Sequence, residues 1–148
     1  MRMKQLPTQT ITIVNRLKSK DNESNRDVFI KKALTNCIWD SVNRAIQNGR
    51  ELSYSNGYSV QIPDNQTYEY KPYKDWITDT EKAYTLSVDD YIIMGEVAEE
   101  ITPNNITDIT RNYFSFKVKV INDYRMKTDI PSNNFLMQYA SYFYVEGD

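Results

Sequence analysis

Apolar and polar side chains alternate with a period of two along several stretches of the chain, and this period is typical of β-strands. Near the start, the alternation in 8–17 places Ile11 and Ile13 on one face of a strand. The pattern is clearest in 114–120, where a polar residue separates each apolar residue from the next. The predicted apolar face of that strand consists of Phe114, Phe116, Val118 and Val120.

Four further segments predict strands. Val28–Trp39 is a long apolar-rich run without Gly or Pro, and Tyr58–Pro63 alternates strictly. Tyr91–Met94 is followed by Gly95, which predicts a bulge or a sharp bend. In Phe135–Val145 both faces are largely apolar, so this strand is predicted to lie between two layers or at an interface.

Local signals between the strands predict turns, loops and short helices. Asn56-Gly57 predicts a type I′ turn, because both central positions of that turn need positive φ. Asp40–Gln47 is compatible with a short helix or with a loop, and Thr107–Tyr113 predicts one or two helical turns with Thr107 as the cap. The polar segment 18–27 and the longer segment 64–80 predict mobile loops.

These elements together predict a mainly β fold. About six or seven short strands, with one or two short helices, are typical of a small antiparallel β-barrel or sandwich with long loops. The chain has 148 residues, a length suited to one domain, and it shows no internal repeat or linker. We therefore expect residues 1–148 to form a single β domain.

Charge and residue usage narrow the classes of function. Lys and Arg number 18 against 20 Asp and Glu, whereas a protein that holds DNA through its phosphates normally carries a basic excess. The chain has no His and one Cys, so it lacks the parts of Ser-His-Asp catalysis and of a zinc cage. Its four Gly residues are scattered, which excludes a phosphate-binding loop. We expect neither an enzyme nor a cofactor.

Carboxylates flanking one predicted strand are the remaining candidates for chemistry. They are Asp89, Asp90, Glu96, Glu99 and Glu100. They fit a Mg²⁺ or Ca²⁺ site or an acid–base pair; alternatively, they form a turn before the strand and a solvated edge after it. Adjacent residues of a strand point to opposite faces, so Asp89 and Asp90 are not expected to converge on one ion. We expect no metal site here.

The lone cysteine and the apolar runs bear on the compartment. Cys37 lies inside an apolar run and is predicted to be a small buried hydrophobe rather than a reactive thiol. No apolar stretch approaches the roughly 18 residues that cross a bilayer, and the N-terminal residues lack the apolar core of a secretory signal. We expect a soluble protein, made in a cytoplasm, with no membrane partner.

Tyrosine is the unusual component, with 12 residues in the chain. Its ring offers a large contact area at low entropic cost and its hydroxyl can meet a partner, which is why it is enriched at interfaces. The candidate interface residues are Tyr139, Tyr142 and Tyr144 in the last strand, and Tyr73 and Trp76 in the connection 64–80. Packing inside the subunit is the alternative for these rings.

Several segments taken in order also carry a family resemblance. They are Thr10–Arg16, Arg26–Phe29, a strand ending in Trp39, Tyr58–Pro63, Tyr84–Leu86 with Asp90–Val97, Phe116–Val118 and the aromatic last strand. The chain resembles small proteins of unassigned function encoded in the structural-gene modules of tailed phages and prophages of Gram-positive bacteria. It departs from that pattern in Asp40–Ser55 and in its Tyr-rich final strand.

The resemblance implies a place in the neck of the virion. Head-closure and head–tail joining proteins there are small β-barrels with loop extensions, arranged in rings between portal and tail. The expected partners are other copies of the chain, neighbouring portal, adaptor and tail proteins, and DNA that passes without specific binding. The protein would be made in the host bacterial cytoplasm. A tail-completion or tail-terminator protein and a non-virion phage-encoded binding module are the alternatives.

Overall fold

The computed structural model describes residues 8–48, 51–125 and 141–148, with the backbone alone for 42–48 and 51–56. Eight strands and two short helices lie in these ranges. The strands are β1 Gln9–Leu17, β2 Val28–Asn48, β3 Glu51–Pro63, β4 Glu69–Tyr70, β5 Ala83–Tyr84, β6 Tyr91–Met94, β7 Ser115–Asp123 and β8 Tyr142–Gly147. The helices are α1 Tyr73–Trp76 and α2 Ile106–Asn112.

Six of the strands form a closed antiparallel barrel in the order β1-β2-β3-β8-β7-β6. The two remaining strands, β4 and β5, pair in parallel outside this barrel. The predicted fold class, a small antiparallel β-barrel with one or two short helices, is therefore confirmed.

Two apolar clusters hold the barrel together. The inner one fills the barrel and includes Ile11 and Ile13, as the alternation in β1 predicts, because residues two apart share a face. The outer one contains Val14, on the opposite face of the same strand, packed under the segment 97–109 with α2. β1 is thus buried on both faces, and the inner cluster comprises Ile11, Ile13, Leu34, Cys37, Val60, Ile62, Tyr84, Leu86, Ile92, Phe116, Val118, Phe143 and Val145.

The two ends of the barrel differ. At one end, here called the capped end, the connection between β3 and β6 folds over the opening, with Tyr84 and Leu86 in the inner cluster and Tyr68 and Tyr70 packed against it. At the other end, β2 and β3 continue past the barrel as a two-stranded ribbon. We call this ribbon the arm; it consists of Val42–Asn48 paired with Glu51–Gly57.

Gly147 marks the tightest approach between barrel strands. It pairs with Tyr58 of β3 on one side and with Val118 of β7 on the other. A Cβ atom at this position would overlap the backbone carbonyl oxygen of Lys117. Only glycine fits where β8 passes between its two neighbours.

The arm contradicts two sequence predictions. Asp40–Gln47 is neither helix nor loop but the continuation of β2, and Asn56-Gly57 lies inside β3 rather than in a turn. Asn56 is paired with Asn43, and Gly57 with Val42. An uninterrupted ladder between two long strands overrides the local turn and cap signals, because cross-strand pairing contributes more than a weak local preference.

The apolar face predicted for 114–120 is correct only in its middle. Phe116 and Val118 are buried, but Phe114 precedes β7 and is 65% exposed. The β7–β8 register shifts between Val118 and Val120, which turns Val120 to the outside and lets Ile121 pack against the inner cluster. A single extra residue reverses the two faces of a strand.

The other local predictions agree more closely with the structure. Gly95 follows β6 with a φ of 89°, as the predicted bend requires. The helix predicted over Thr107–Tyr113 is confirmed as α2, Ile106–Asn112, but its N-cap is Asn105 and not Thr107. The loop 18–27 contains a short 3-10 turn, and the Asn22 side chain donates hydrogen bonds to the carbonyl groups of Lys18 and Arg26. Its mobility stays a prediction.

Candidate functional site

The outer surface of β7 and β8 gathers aromatic and apolar side chains near the capped end. β8 alternates, with Phe143 and Val145 in the inner cluster and Tyr142 and Tyr144 half-buried on the outer side. The Tyr142 ring lies 5.5 Å from that of Tyr124, measured between centroids. We call the set Val120, Tyr124, Tyr142 and Tyr144 the tyrosine face.

Two members of the tyrosine face were not predicted from the sequence. Tyr124 is 51% exposed and Val120 is 37% exposed. The register shift brings them beside β8, where Val120 is paired with Glu146 and the Tyr124 amide donates to the carbonyl oxygen of Tyr142. The consecutive apolar residues Val120 and Ile121 were the available signal, because they break the alternation at the point where the bulge occurs.

Arg125 lies beside the tyrosine face and closes the capped end. Its guanidinium carbon is 4.7 Å from the ring centroid of Tyr70 and 4.6 Å from that of Phe143. An ion pair with Asp123 at 2.9 Å orients the group. Such stacking of a cation on ring faces is favourable, so the cap is anchored at the edge of the tyrosine face.

The other candidate interface residues lie elsewhere. Tyr73 links α1 to the loop after β1: its hydroxyl donates to the Asp21 carboxylate at 2.6 Å and accepts from the Lys18 amide at 3.1 Å. Trp76 is fully buried and donates from Nε1 to the carbonyl oxygen of Ala83 at 3.1 Å. It offers no surface to a partner, because it packs inside the subunit. Tyr139 lies outside the described residues.

A second aromatic group lies at the base of the arm. The Trp39 ring is 5.2 Å from Tyr58 and 5.3 Å from Phe116, measured between centroids. The exposed Phe114 ring is 6.5 Å from Tyr58. Tyr58 is also paired with Ser41, immediately before the arm leaves the barrel. These rings therefore brace the arm where it emerges.

The carboxylates around β6 do not converge. Asp89 adopts a φ of 77° in a turn and lies 3.8 Å from Lys117 and 3.7 Å from Lys119. Asp90 points inward, whereas Glu96, Glu99 and Glu100 are exposed. These carboxylates therefore form a turn before the strand and a solvated edge after it, which is the alternative to a metal or acid–base site. Among the residues that the structure describes, no three His, Cys, Asp or Glu side chains are grouped to hold a metal ion.

The buried Asp90 ties three parts of the chain together. Its carboxylate accepts hydrogen bonds from Asn15 Nδ2 at 2.9 Å, the Arg16 amide at 3.1 Å and the Ser87 amide at 3.1 Å. Asn15 also exchanges hydrogen bonds with the backbone of Thr85, so β1 is joined to the capped end. Burial raises the Asp90 pKa to about 6, against the lowering effect of the hydrogen bonds from Asn15, Arg16 and Ser87.

This raised pKa predicts a pH-dependent stability. Because the folded protein binds the Asp90 proton more tightly than the unfolded chain, the stabilising contribution is full below about pH 4 and is lost as the pH rises through 6, by about 3 kcal/mol. Asp90→Asn removes this dependence. Its cost in unfolding free energy, measured by urea denaturation, should therefore be larger at pH 4.5 than at pH 7.5; a cost that grows with pH would contradict the assignment.

Cys37 is not a candidate nucleophile. It is fully buried in the inner cluster, and burial raises the pKa of its thiol to about 12. The thiolate, which is the reactive form, is therefore negligible at neutral pH. The prediction of a small buried hydrophobe is confirmed.

Comparison with known families finds one match. The model of a family of unknown function, DUF6751, matches residues 6–132. The chain belongs to this family. The part matched to the DUF6751 model includes β1 to β7 with the whole arm, and it ends before β8. Neither the curated proteins nor the solved structures give a match.

Because the function of the DUF6751 family is unknown, the geometry of the protein is the guide to its function. The described part of the chain holds no helix that is both long and apolar enough to cross a bilayer. What its geometry offers is contact surface: an arm at one end of the barrel and the tyrosine face near the other. Both are suited to binding protein, because exposed aromatic rings and unpaired strand edges are the groups that partners cover.

Proposed function

We propose that the chain is a structural protein of a tailed-phage virion, a subunit of the ring that joins head and tail at the neck. It acts through contacts with other proteins around the DNA channel and not as an enzyme. The observation that carries this proposal is the division of the molecule into a closed barrel and two separate surface features, the arm and the tyrosine face. A ring subunit needs two such surfaces, one for each neighbour.

The charge distribution supports a channel that lets DNA pass. The net charge is -2, and Lys117 and Lys119 lie beside Asp89 rather than in a basic patch. Strong phosphate binding would retain DNA, since each neutralised phosphate adds to affinity. A near-neutral ring avoids this.

The direct test is mass spectrometry of purified particles from a lysogen or phage that carries the gene. The protein should be present in mature particles, and cryo-EM should locate its density between portal and tail. Absence from the particles would remove the virion proposal. Density at the distal end of the tail tube, or stacked along it, would replace the neck with a tail-completion role.

Tyr142→Ser should impair assembly more than it destabilises the subunit. The ring is half-buried on the outer side of β8, so its loss should cost about 1 kcal/mol of unfolding free energy. Self-association should weaken by about tenfold or more, as for an aromatic interface residue. Sedimentation velocity and urea denaturation measure the two effects.

Val28→Ser is the matched control for this substitution. Val28 is an apolar residue that is 36% exposed at the start of β2, where it pairs with Leu17 of β1, and β2 adjoins neither β7 nor β8 in the barrel. It should change neither quantity. If Tyr142→Ser lowered stability and association equally, the tyrosine would belong to the core and not to an interface.

A further inference from the structure

The two strands of the arm pair only with each other within the described residues. Seven residues of each strand, Val42–Asn48 and Glu51–Gly57, pair with each other and with no other strand of the described chain. At about 3.3 Å per residue the ribbon extends about 23 Å from the barrel. An isolated two-stranded hairpin is marginally stable in water, and no other strand among the described residues pairs with the outer edges of the arm. The arm therefore offers two open strand edges to a partner.

The same chain carries a second open edge, on β7. β6 pairs with β7 only from Ser115 to Lys117, and the backbone of Val118 then bonds to Asp89 and Asp90. Beyond that point, Lys119–Asp123 is flanked by β8 alone within the described residues. This open stretch of five residues is about 17 Å long, so part of the arm is enough to pair with it, and it borders the tyrosine face.

The two open edges of one molecule cannot meet. The arm leaves the barrel at the end where Tyr58 pairs with Gly147, whereas the open part of β7 runs towards the capped end, where Asp123 pairs with Phe143. The β2–β3 ladder runs through 11 consecutive pairs, from Ile38 with Gln61 to Asn48 with Glu51, without a register shift. A sharp bend in a ladder needs a bulge. The ladder between β2 and β3 has none, so the arm does not bend back towards the capped end.

We propose that the arm of one copy docks on the β7 edge and the tyrosine face of a second copy. An arm strand continues the sheet beyond β7 by strand addition, along the edge that Val120 and Tyr124 border. The sequence of the arm suits this role: it includes Val42, Ala45, Ile46, Leu52 and Tyr54 between Asn and Ser residues, with Arg44 and Glu51 as the charged residues of its two strands.

The contact is head-to-tail, because it joins two different surfaces of the same chain. Such an interface repeats from copy to copy and closes into a ring when the rotation between copies permits. The inference thus deepens the proposed function, on which its biological setting rests, by naming the surfaces that join neighbouring ring subunits. The self-contact itself is testable on the purified protein.

Two variants each remove one half of the contact. In the arm-deleted variant, Val42–Gly57 is replaced by Asn-Gly, a two-residue turn that connects the paired residues Ser41 and Tyr58. In the edge variant, Val120→Lys and Tyr124→Lys place charges beside the open strand, and lysine on an edge opposes pairing. Val28→Lys is the matched control, because Val28 is about as exposed as Val120 and lies on β2, which adjoins neither β7 nor β8. Thermal unfolding of each variant confirms that the barrel still folds.

Sedimentation velocity over a range of concentrations then gives the result. Wild type and Val28→Lys should gain mass as concentration rises, and each contact variant alone should stay monomeric. An equimolar mixture of the two variants should form a heterodimer that grows no further, because one intact arm meets one intact edge. A wild-type protein that is monomeric at every concentration, or an arm-deleted variant that assembles like wild type, would overturn the inference.

The outcomes separate this inference from the proposed function. If the protein is found in virions but the variants assemble normally, the arm contact is wrong and the virion role stands. If the variants behave as expected but the protein is absent from particles, the arm contact stands and the virion role is wrong.

Discussion

Trp76→Ala is expected to lower the free energy of unfolding by about 3–5 kcal/mol, which is typical of a buried aromatic ring replaced by a methyl group. Trp76 is fully buried, and its Nε1 donates a hydrogen bond to the carbonyl oxygen of Ala83. The substitution leaves a cavity and an unpaired carbonyl under the cap. Urea denaturation followed by tyrosine fluorescence or circular dichroism measures the loss.

Trp76→Phe is the informative companion to that substitution. It keeps most of the ring volume and loses the hydrogen bond, so it should cost about 1–2 kcal/mol. Tyr73→Phe removes the hydroxyl that bonds to Asp21 at a partly exposed position and should cost less than either. A loss below about 1 kcal/mol for Trp76→Ala would show that the cap contributes little to the stability of the barrel.

Asn15→Ala is expected to cost about 4 kcal/mol, because it leaves several buried polar groups without partners. The Asn15 amide donates to the Thr85 carbonyl oxygen at 2.6 Å and to Asp90 at 2.9 Å, and its oxygen accepts from the Thr85 amide at 3.2 Å. No solvent reaches Asn15 to replace these bonds. Chemical denaturation at pH 7 gives the cost directly.

Asn122→Ala provides the control for the Asn15 substitution, since Asn122 is a partly exposed asparagine in β7. It should cost less than about 0.5 kcal/mol. A double-mutant cycle of Asn15→Ala with Asp90→Asn should show strong coupling, because the two side chains share a hydrogen bond. Additive costs would mean that the two groups stabilise the protein independently.

The barrel interior was predictable because the signal for it is local. A period of two in β1 and β3 places Ile11 with Ile13 and Val60 with Ile62, and all four are fully buried. The same reasoning placed Tyr142 and Phe143 on opposite sides of β8. Each of these predictions needs only the sequence of one strand.

The arm could not be predicted because it depends on pairing between strands. Asn56-Gly57 is a strong turn signal by itself, yet Asn56 lies opposite Asn43 in the middle of a ladder. Asp40 resembles a helix cap, yet it is paired with Ser59. The register of β2 against β3 decides both cases, and a single strand does not encode its register.

The candidate site was predicted in part. Tyr142 and Tyr144 were found through their residue type and strand pattern, whereas Val120 and Tyr124 join them through a one-residue shift in β7. Trp76 shows the converse, since a large aromatic side chain suits an interface and a core equally well. Burial decides between these two roles, and burial is a property of the folded chain.

The position of β8 sets the order of events during synthesis. β8 lies between β3 and β7, and Gly147 is held against the backbones of both. During synthesis the five other barrel strands leave the ribosome before β8. Until β8 is added, the facing edges of β3 and β7 would have no strand between them. Chaperones or other subunits would contact these open edges, so a stalled or truncated chain should aggregate even though most of its sequence is intact.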